Sequence, residues 1–530
     1  MNNIKLHTII DQPGLWPGFL TEVFSKHHTG VQLPFSSDAE GIKQALKERN
    51  YPVKRRQLLA DVLLNQNANA LHSFPKIKRN IERLRNENTF TITTGHQLSL
   101  AGGPLFLWYK LCSVVAQAAY LSRAANSVIL PVFWMASEDH DLQELNDFSL
   151  FGKKINFEPD FHGAAGQLKR VSYASWAEEF SQVAGHHDGQ DLWLAFLKGE
   201  NLAEATRNWV NSAFGEYGLL VIDANDASLK NEFLPLALTE LESGFSGSCV
   251  ASRTAELIAS GIASEKDWPV HPRNLNLFWF DENGRHRLVR HADNSISAGA
   301  NAKSHTIQFW KERFLQFPQN ISPNVILRPI YQEIILPNLA YIGGPGECAY
   351  WLQLLSAFNQ AQVFYPVVLP RRNFLLLPEK QLEFLNTSGF EIVDLLEGTE
   401  EIIRKTGESG MPDFLRENSG IQVQEIYNKL IDEIAEIDRS LISSIQAEQQ
   451  KTLNGLQNIR VKVARSLRQK DEQKVNRLLK IAETIRPSGK PQERAVHLFQ
   501  YSLLCRKENM EILLKSSEEP GIKGLYIFLI

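Results

Sequence analysis

Four consecutive positions, Glu138-Asp139-His140-Asp141, place three carboxylates and an imidazole just after the apolar run Val128-Ile129-Leu130-Pro131-Val132-Phe133-Trp134. Charge gathered at the end of a buried strand can bind an amine or relay a proton. Three readings stay open for it: a functional site, a solvated acidic turn capping the next helix, or a metal site, since His and Asp are good ligands. No second ligand cluster accompanies it, so no metal is assigned.

Two further stretches carry candidate chemistry. Thr91–Lys110 reads TITTGHQLSLAGGPLFLWYK: a β-branched run ending at Gly95, then His96 and Gln97, a turn at Ala101-Gly102-Gly103-Pro104, and a helical apolar pattern from Leu105 to Tyr120. Glycines there let the backbone approach a ligand, and the amides opening the next helix attract anions. The same residues also suit a plain strand-to-helix connection. Ala340-Tyr341-Ile342-Gly343-Gly344-Pro345-Gly346-Glu347 repeats the Gly-Gly-Pro theme with a carboxylate added. After the next apolar run, Arg371 and Arg372 suit a phosphate or carboxylate, or equally stand as surface charges.

The elements that must position these residues form an α/β fold. Apolar runs at 90–94, 128–134, 218–223, 340–342 and 363–369 read as five core strands, and the helix at 105–121 joins the first two as a parallel βαβ unit. In open parallel sheets ligands gather at the carboxyl ends of the strands, so these loops are expected at one edge, the two Gly-Gly-Pro turns facing one crevice. The expected organisation is a first core part with N-terminal helices at 1–149, insertions at 150–214 and 249–320, core segments at 215–248 and 321–385, a coiled-coil arm at 386–485, and a terminal helix packing back at 486–530. The first insertion is expected to hold a small strand pair, Lys153–Phe157 with Gln167–Tyr173. The second should hold a hairpin turning at Asp281-Glu282-Asn283-Gly284. Ile426, Leu430, Ile434, Ile437, Leu441 and Ile445 fall at spacings of three and four, a coiled-coil period whose break near Asp438-Arg439-Ser440 predicts an antiparallel hairpin.

Of 530 residues, 43% are hydrophobic and 22% charged, and the net charge is −4, which gives no general attraction for nucleic acid or acidic membranes. Four scattered cysteines without a CxxC pair suit reduced thiols and argue against a zinc knot. With no leader pattern and no uninterrupted membrane-length apolar run, a cytoplasmic protein is expected.

Taken together, TGHQLSLAGGPLFLWYK, PVFWMASEDHDLQELN, SPNVILRPIYQEIILPNLAYIGGPGECAYW and RPSGKPQER resemble the bacillithiol biosynthesis cysteine-adding family, the BshC cysteine ligases, in the same order over nearly the whole chain. The resemblance implies a Rossmann-like core similar to class I aminoacyl-tRNA synthetase catalytic domains, with a coiled coil that makes a homodimer. It implies amide formation between cysteine and the amino group of glucosaminyl-malate, with ATP as suspected activator and Mg2+ possible. His96, Asp139, His140 and Asp141 are then the catalytic candidates. Gln97, Glu138, Arg328, Glu333 and Glu347 would bind substrates, and Gly95, Gly102, Gly103, Pro104, Gly343, Gly344 and Arg371 the nucleotide. HQLSLAGGP matches the synthetase HIGH motif by position only. No KMSKS-like loop follows the fifth strand, where Pro370-Arg371-Arg372-Asn373 stands instead. A ligase or nucleotidyltransferase using another amine, or a non-catalytic coiled-coil assembly protein, are the alternatives.

Overall fold

The computed structural model describes residues 3–10, 16–24, 31–281, 284–408, 410–415, 419–521 and 524–530. In chain order its strands are β1 (Lys5–Ile10), β2 (Thr89–Gln97), β3 (Val128–Ala136), β4 (Leu220–Asp223), β5 (Leu277–Asp281), β6 (Gly284–Arg290), β7 (Ile296–Ala298), β8 (Ser304–His305), β9 (Ile321–Pro323), β10 (Asn338–Gly343), β11 (Val367–Pro370), β12 (Asn373–Leu377) and β13 (Leu525–Leu529). The central sheet has the order β11-β10-β2-β3-β4, and every neighbouring pair in it is parallel. Numbered along the chain, these five strands stand 5-4-1-2-3, a Rossmann-like order whose direction reverses between β2 and β10. Ligands bind at such a switch point, outside the carboxyl ends of the strands.

The sequence explains the frame. The β-branched run in β2 is buried through Thr94 and becomes partly exposed from Gly95, so burial ends where the polar residues begin. The helix Leu105–Ala125, which crosses from β2 to β3, ends at Asn126 in the left-handed conformation. This helix is long and apolar enough to cross a membrane, yet most of it is buried inside the protein, as a core crossover helix must be. A second sheet, β8-β7-β6-β5-β9, fills the second insertion, with β5 and β6 paired antiparallel. Glu282 and Asn283 of the expected turn lie outside the described residues.

Several expectations are corrected. Residues 165–167 and 170–173 form 3₁₀ turns, so the strand pair expected in the first insertion is absent among the described residues. The terminal helix is not continuous: residues 498–505 are a kinked 3₁₀ stretch, and a helix resumes only over Lys507–Ser517. The strand β13 follows, unforeseen, between β1 and β12 in a three-stranded sheet.

The chain divides into two compact units: Met1–Leu375 with Glu493–Phe528 and Ile530, and Leu376–Gln492 with Leu529. The second unit is helical. Its helices Ser419–Ala435 and Ile442–Lys470 are antiparallel, joined by a short turn that Asp438 caps by accepting from the Ser440 amide at 2.9 Å. The Tyr427 and Thr452 hydroxyls meet across this hairpin at 2.9 Å.

Candidate active site

Two polar clusters meet at the carboxyl edge of the central sheet. The first lies at the end of β3. Glu138 is fully buried and bonded by the ammonium of Lys230, which also donates to the Ile321 carbonyl at 2.7 Å. Arg328 lies 3.8 Å from Glu138 and donates twice to Asp139 at 3.3 Å, while Arg285 reaches the other Asp139 oxygen at 3.4 Å. Phe278 supports Arg285, whose guanidinium sits 3.9 Å from the ring centroid. Three cations thus face two carboxylates, and Glu144 on the same loop adds a further carboxylate beside Arg328. Burial alone would raise both carboxyls. For Glu138 the charges of Lys230, Arg328 and Arg285 outweigh it; for Asp139 the His140 hydrogen bond and both arginines do. Both are held well below the usual carboxylate range, so Asp139 is an ionised anchor and a poor proton acceptor.

The second cluster lies at the switch point. The Lys110 ammonium donates to the Gly95 carbonyl and pairs with Glu347 at 2.8 Å. Glu347 also accepts from the Tyr341 hydroxyl and, at 2.9 Å, from the Gly344 amide, closing the first turn of the helix Pro345–Gln360. Burial pushes Glu347 up, but Lys110 overcomes it and keeps the carboxylate charged. His96 stacks on Phe106 with ring centroids 4.8 Å apart, and its enclosed Nε2 has no hydrogen-bond partner among the described residues. Burial first, and then the charge of Lys110, push its pKa down to about 3, so the imidazole is neutral near pH 7. Phe106 also carries the exposed Arg494, 5.5 Å from its centroid. The two clusters are joined by Gln97, whose Nε2 donates to Asp139 at 2.9 Å.

The edge therefore brings together Gly95, His96, Gln97, Glu138, Asp139, Arg328 and Glu347, and sets Gly343 and Gly344 beside them. Arg371 lies next to Gly344, but it is buried and held by Glu493 at 2.5 and 2.8 Å. His140 is exposed, 3.1 Å from Arg285, and Asp141 is exposed and accepts from the Gln143 amide of its own turn.

Two expectations fail on placement. Glu333 is buried at the opposite, amino end of β10, bonded by Gln332 at 3.0 Å and Asn338 at 2.9 Å. Gly102, Gly103 and Pro104 are buried too. Gly102 has φ +89°, and a β-carbon there would fall 2.3 Å from the Trp209 ring, so this glycine serves packing. The Leu105 amide, expected to face an anion, donates to the Val496 carbonyl at 3.0 Å, and His497 donates to the Ala101 carbonyl at 3.1 Å.

Sequence reasoning missed Lys110, Lys230, Arg285 and Tyr341. Lys110 had a signal, as the single charge in the apolar stretch 105–121. Tyr341 stood inside the second glycine-rich stretch without being singled out, and Lys230 and Arg285 had no signal, because each reaches the edge from an element whose own pattern is ordinary.

A parallel sheet in Rossmann-like order, with charged side chains converging on its switch point, defines a Rossmann-like enzyme. Residues 20–372 match the family described as bacillithiol biosynthesis BshC, N-terminal Rossmann-like domain, and residues 374–523 match the BshC C-terminal coiled-coil domain. The chain belongs to the BshC family. Similar relatives come from Flavobacterium johnsoniae (34% identical, 89% of each chain), Cytophaga hutchinsonii (32%, 91% of each) and Flavobacterium psychrophilum (33%, 86% of each), and all are named as cysteine ligases BshC.

Proposed function

We propose that this chain is a cysteine ligase that joins the carboxyl group of cysteine to the amino group of glucosaminyl-malate, forming an amide. The observation carrying this reading is the pair of guanidinium groups, Arg285 and Arg328, held on Asp139 at the end of β3 and bridged by Gln97 to the switch point. A carboxylate is attracted there, and fixed donors oriented in advance stabilise charge that develops during acyl transfer. Arg328 and Arg285 face the incoming carboxylate, Asp139 holds both guanidinium groups in place, and Glu138 with Lys230 fixes the turn beneath them. Glu347 and Asp139 are the carboxylates that can receive an ammonium group.

A nucleotide fits the same crevice. The buried Nε2 of neutral His96 is left for a bound group to satisfy, as donor or acceptor according to the ring's tautomer, and Arg494 adds a cation beside it. ATP with Mg2+, when bound, supplies the activation that makes the cysteine carboxyl an acyl donor. His96, Gly95 and Arg494 would hold its phosphates, with Gly343, Gly344 and Arg371 shaping the wall.

A second copy of the chain completes the working form. Ile426 and Leu430 on the first arm helix and Ile437 and Leu441 in the turn at its end are all exposed, Ile426 by 64% and Ile437 by 79%, which leaves apolar surface on the arm suited to pairing with itself. The reading places the protein in the cytoplasm, with small-molecule substrates.

The test supplies purified protein with cysteine and glucosaminyl-malate, with and without ATP and Mg2+, and follows products by mass spectrometry. Cysteinyl amide formed only with ATP is the expected result. Amide formed without ATP would remove the nucleotide while keeping the substrates. No amide under any condition would overturn the reading.

A further inference from the structure

Beyond the charged clusters, the first unit holds a cavity of about 400 Å³ at the carboxyl end of β4, the edge strand. Its lining is unusual in composition. Nine of the seventeen lining residues are Asn or Gln; Arg207, Asp223, Glu204 and Ser137 add charge and a hydroxyl, and the remainder are alanine or glycine. Among the described residues no aromatic or branched aliphatic side chain lines it. Such a wall offers no gain to an apolar ligand and many donors and acceptors to a hydroxylated one.

The cavity is a built one. Gln66 clamps both backbone groups of Asp223, donating to its carbonyl at 3.0 Å and accepting from its amide at 2.8 Å. The Ser137 hydroxyl donates to the Asp223 carboxylate, and Arg207 lies 3.7 Å from the other carboxylate oxygen. Asn211 donates to Asn67 at 3.3 Å. After these bonds are made, the enclosed Nε of Arg207 and Oδ1 of Asn211 still lack partners. A buried polar atom left unpaired costs stability, and groups of this kind are kept where a ligand satisfies them.

Its position ties it to the reacting edge. Ser137, in its wall, immediately precedes Glu138 and Asp139, and the loop behind it is pinned to both ends of that turn, Gly166 to the Ser137 carbonyl at 2.8 Å and Ala165 to the Asp139 carbonyl at 2.7 Å. From β4 to β2 is two strand spacings, about 10 Å, a span that one sugar-sized ligand with a substituent covers.

We infer that the cavity at the end of β4 binds the hydroxyl-bearing sugar half of the amine acceptor, with Asn and Gln side chains pairing its hydroxyls and Arg207, Asp223 and Glu204 fixing its charged groups. This rests on the ligase reading for the ligand's identity. The site is a polyol subsite distinct from the charged clusters that face the carboxylate.

The experiment is calorimetric titration of glucosaminyl-malate into the full chain and into Asn208→Leu and Asn65→Leu, two lining positions outside every ion pair named above. Circular dichroism and cysteine binding verify that each variant is folded. The expected result is acceptor affinity weakened roughly tenfold or more in both variants, with cysteine binding retained. Wild-type affinity for the acceptor in both variants, with product still formed, would overturn the cavity assignment and leave the ligase reading standing. A wild-type chain that neither binds nor converts glucosaminyl-malate would overturn the ligase reading, and this inference with it.

Discussion

Gln97 donates to Asp139 across 2.9 Å, and that bond fastens the end of β2 to the turn after β3. The two strands are parallel neighbours in unbroken register, with Gln97 opposite Ala136 and Asp139 three residues further on, so the sheet itself sets the reach of the amide. Asp139 then passes the constraint to Arg328 and Arg285. Replacing Asp139 by Asn keeps the size of the side chain but leaves two guanidinium groups facing each other without their shared anion. Amide formation by Asp139→Asn should fall roughly a hundredfold or more, measured as kcat/KM on folded protein. Activity within a few-fold of wild type would remove Asp139 from the site.

Lys230 and Glu138 form a fully buried ion pair. Removing one partner strands the other's charge, which typically costs about 3–5 kcal/mol, whereas removing both is often nearly neutral. Lys230→Met should therefore lower the urea midpoint strongly, and Lys230→Met with Glu138→Gln should recover most of the loss. A double variant as weak as the sum of the single ones would show that the pair is not coupled.

Glu333 gives a pH signature. Burial, only partly offset by Arg49, raises its carboxyl from 4.5 to about 7. Between those values the folded chain holds a proton that the unfolded chain has released. The stability this group contributes is full below pH 4.5 and is lost as pH rises through 7, about 3 kcal/mol in all. Glu333→Gln does not titrate, so relative to wild type it should gain about 3 kcal/mol between pH 4.5 and pH 8, read from denaturation at each pH. A constant difference across that range would contradict the assigned proton.

The exposed apolar residues at the turn of the arm predict a change of mass. Ile437→Lys with Leu441→Lys places two charges there, and sedimentation should show the dimer converted to monomer while the helical signal persists. Unchanged mass would exclude this face as the interface.

How far the chain could be read from its residues follows from where the information sits. The five core strands are local: β-branched and apolar runs bounded by Gly, Pro or charge announce themselves, and Gly-Gly-Pro marks the ends of two of them. Gathering His96, Asp139 and Glu347 at one edge needed only the parallel order. Lys230 and Arg285 were beyond reach because they meet Glu138 and Asp139 across 92 and 146 residues, from a plain helix and a plain hairpin. The first glycine turn misled for a different reason. A positive φ and a close approach look the same in sequence whether the neighbour is a ligand or, as for Gly102, the ring of Trp209. The first insertion was misread where short 3₁₀ turns, which lack a periodic pattern, stand in place of the expected strands, whereas the hairpin of the second was legible.

The bonds from Leu105 to Val496 and from His497 to Ala101 set a timetable for synthesis. The ribosome delivers β2 and its glycine turn early, but the residues that close over that turn arrive only after the whole helical arm has been made. A nascent chain stopped anywhere in the arm would present Ala101, Gly102 and the head of the crossover helix unroofed, with His96 and Phe106 losing the neighbours that confine them. Such a chain would fold most of its sheet and still be inactive. The glycine turn at the end of β2 is therefore completed last, by a segment that exists only once the whole arm has been made.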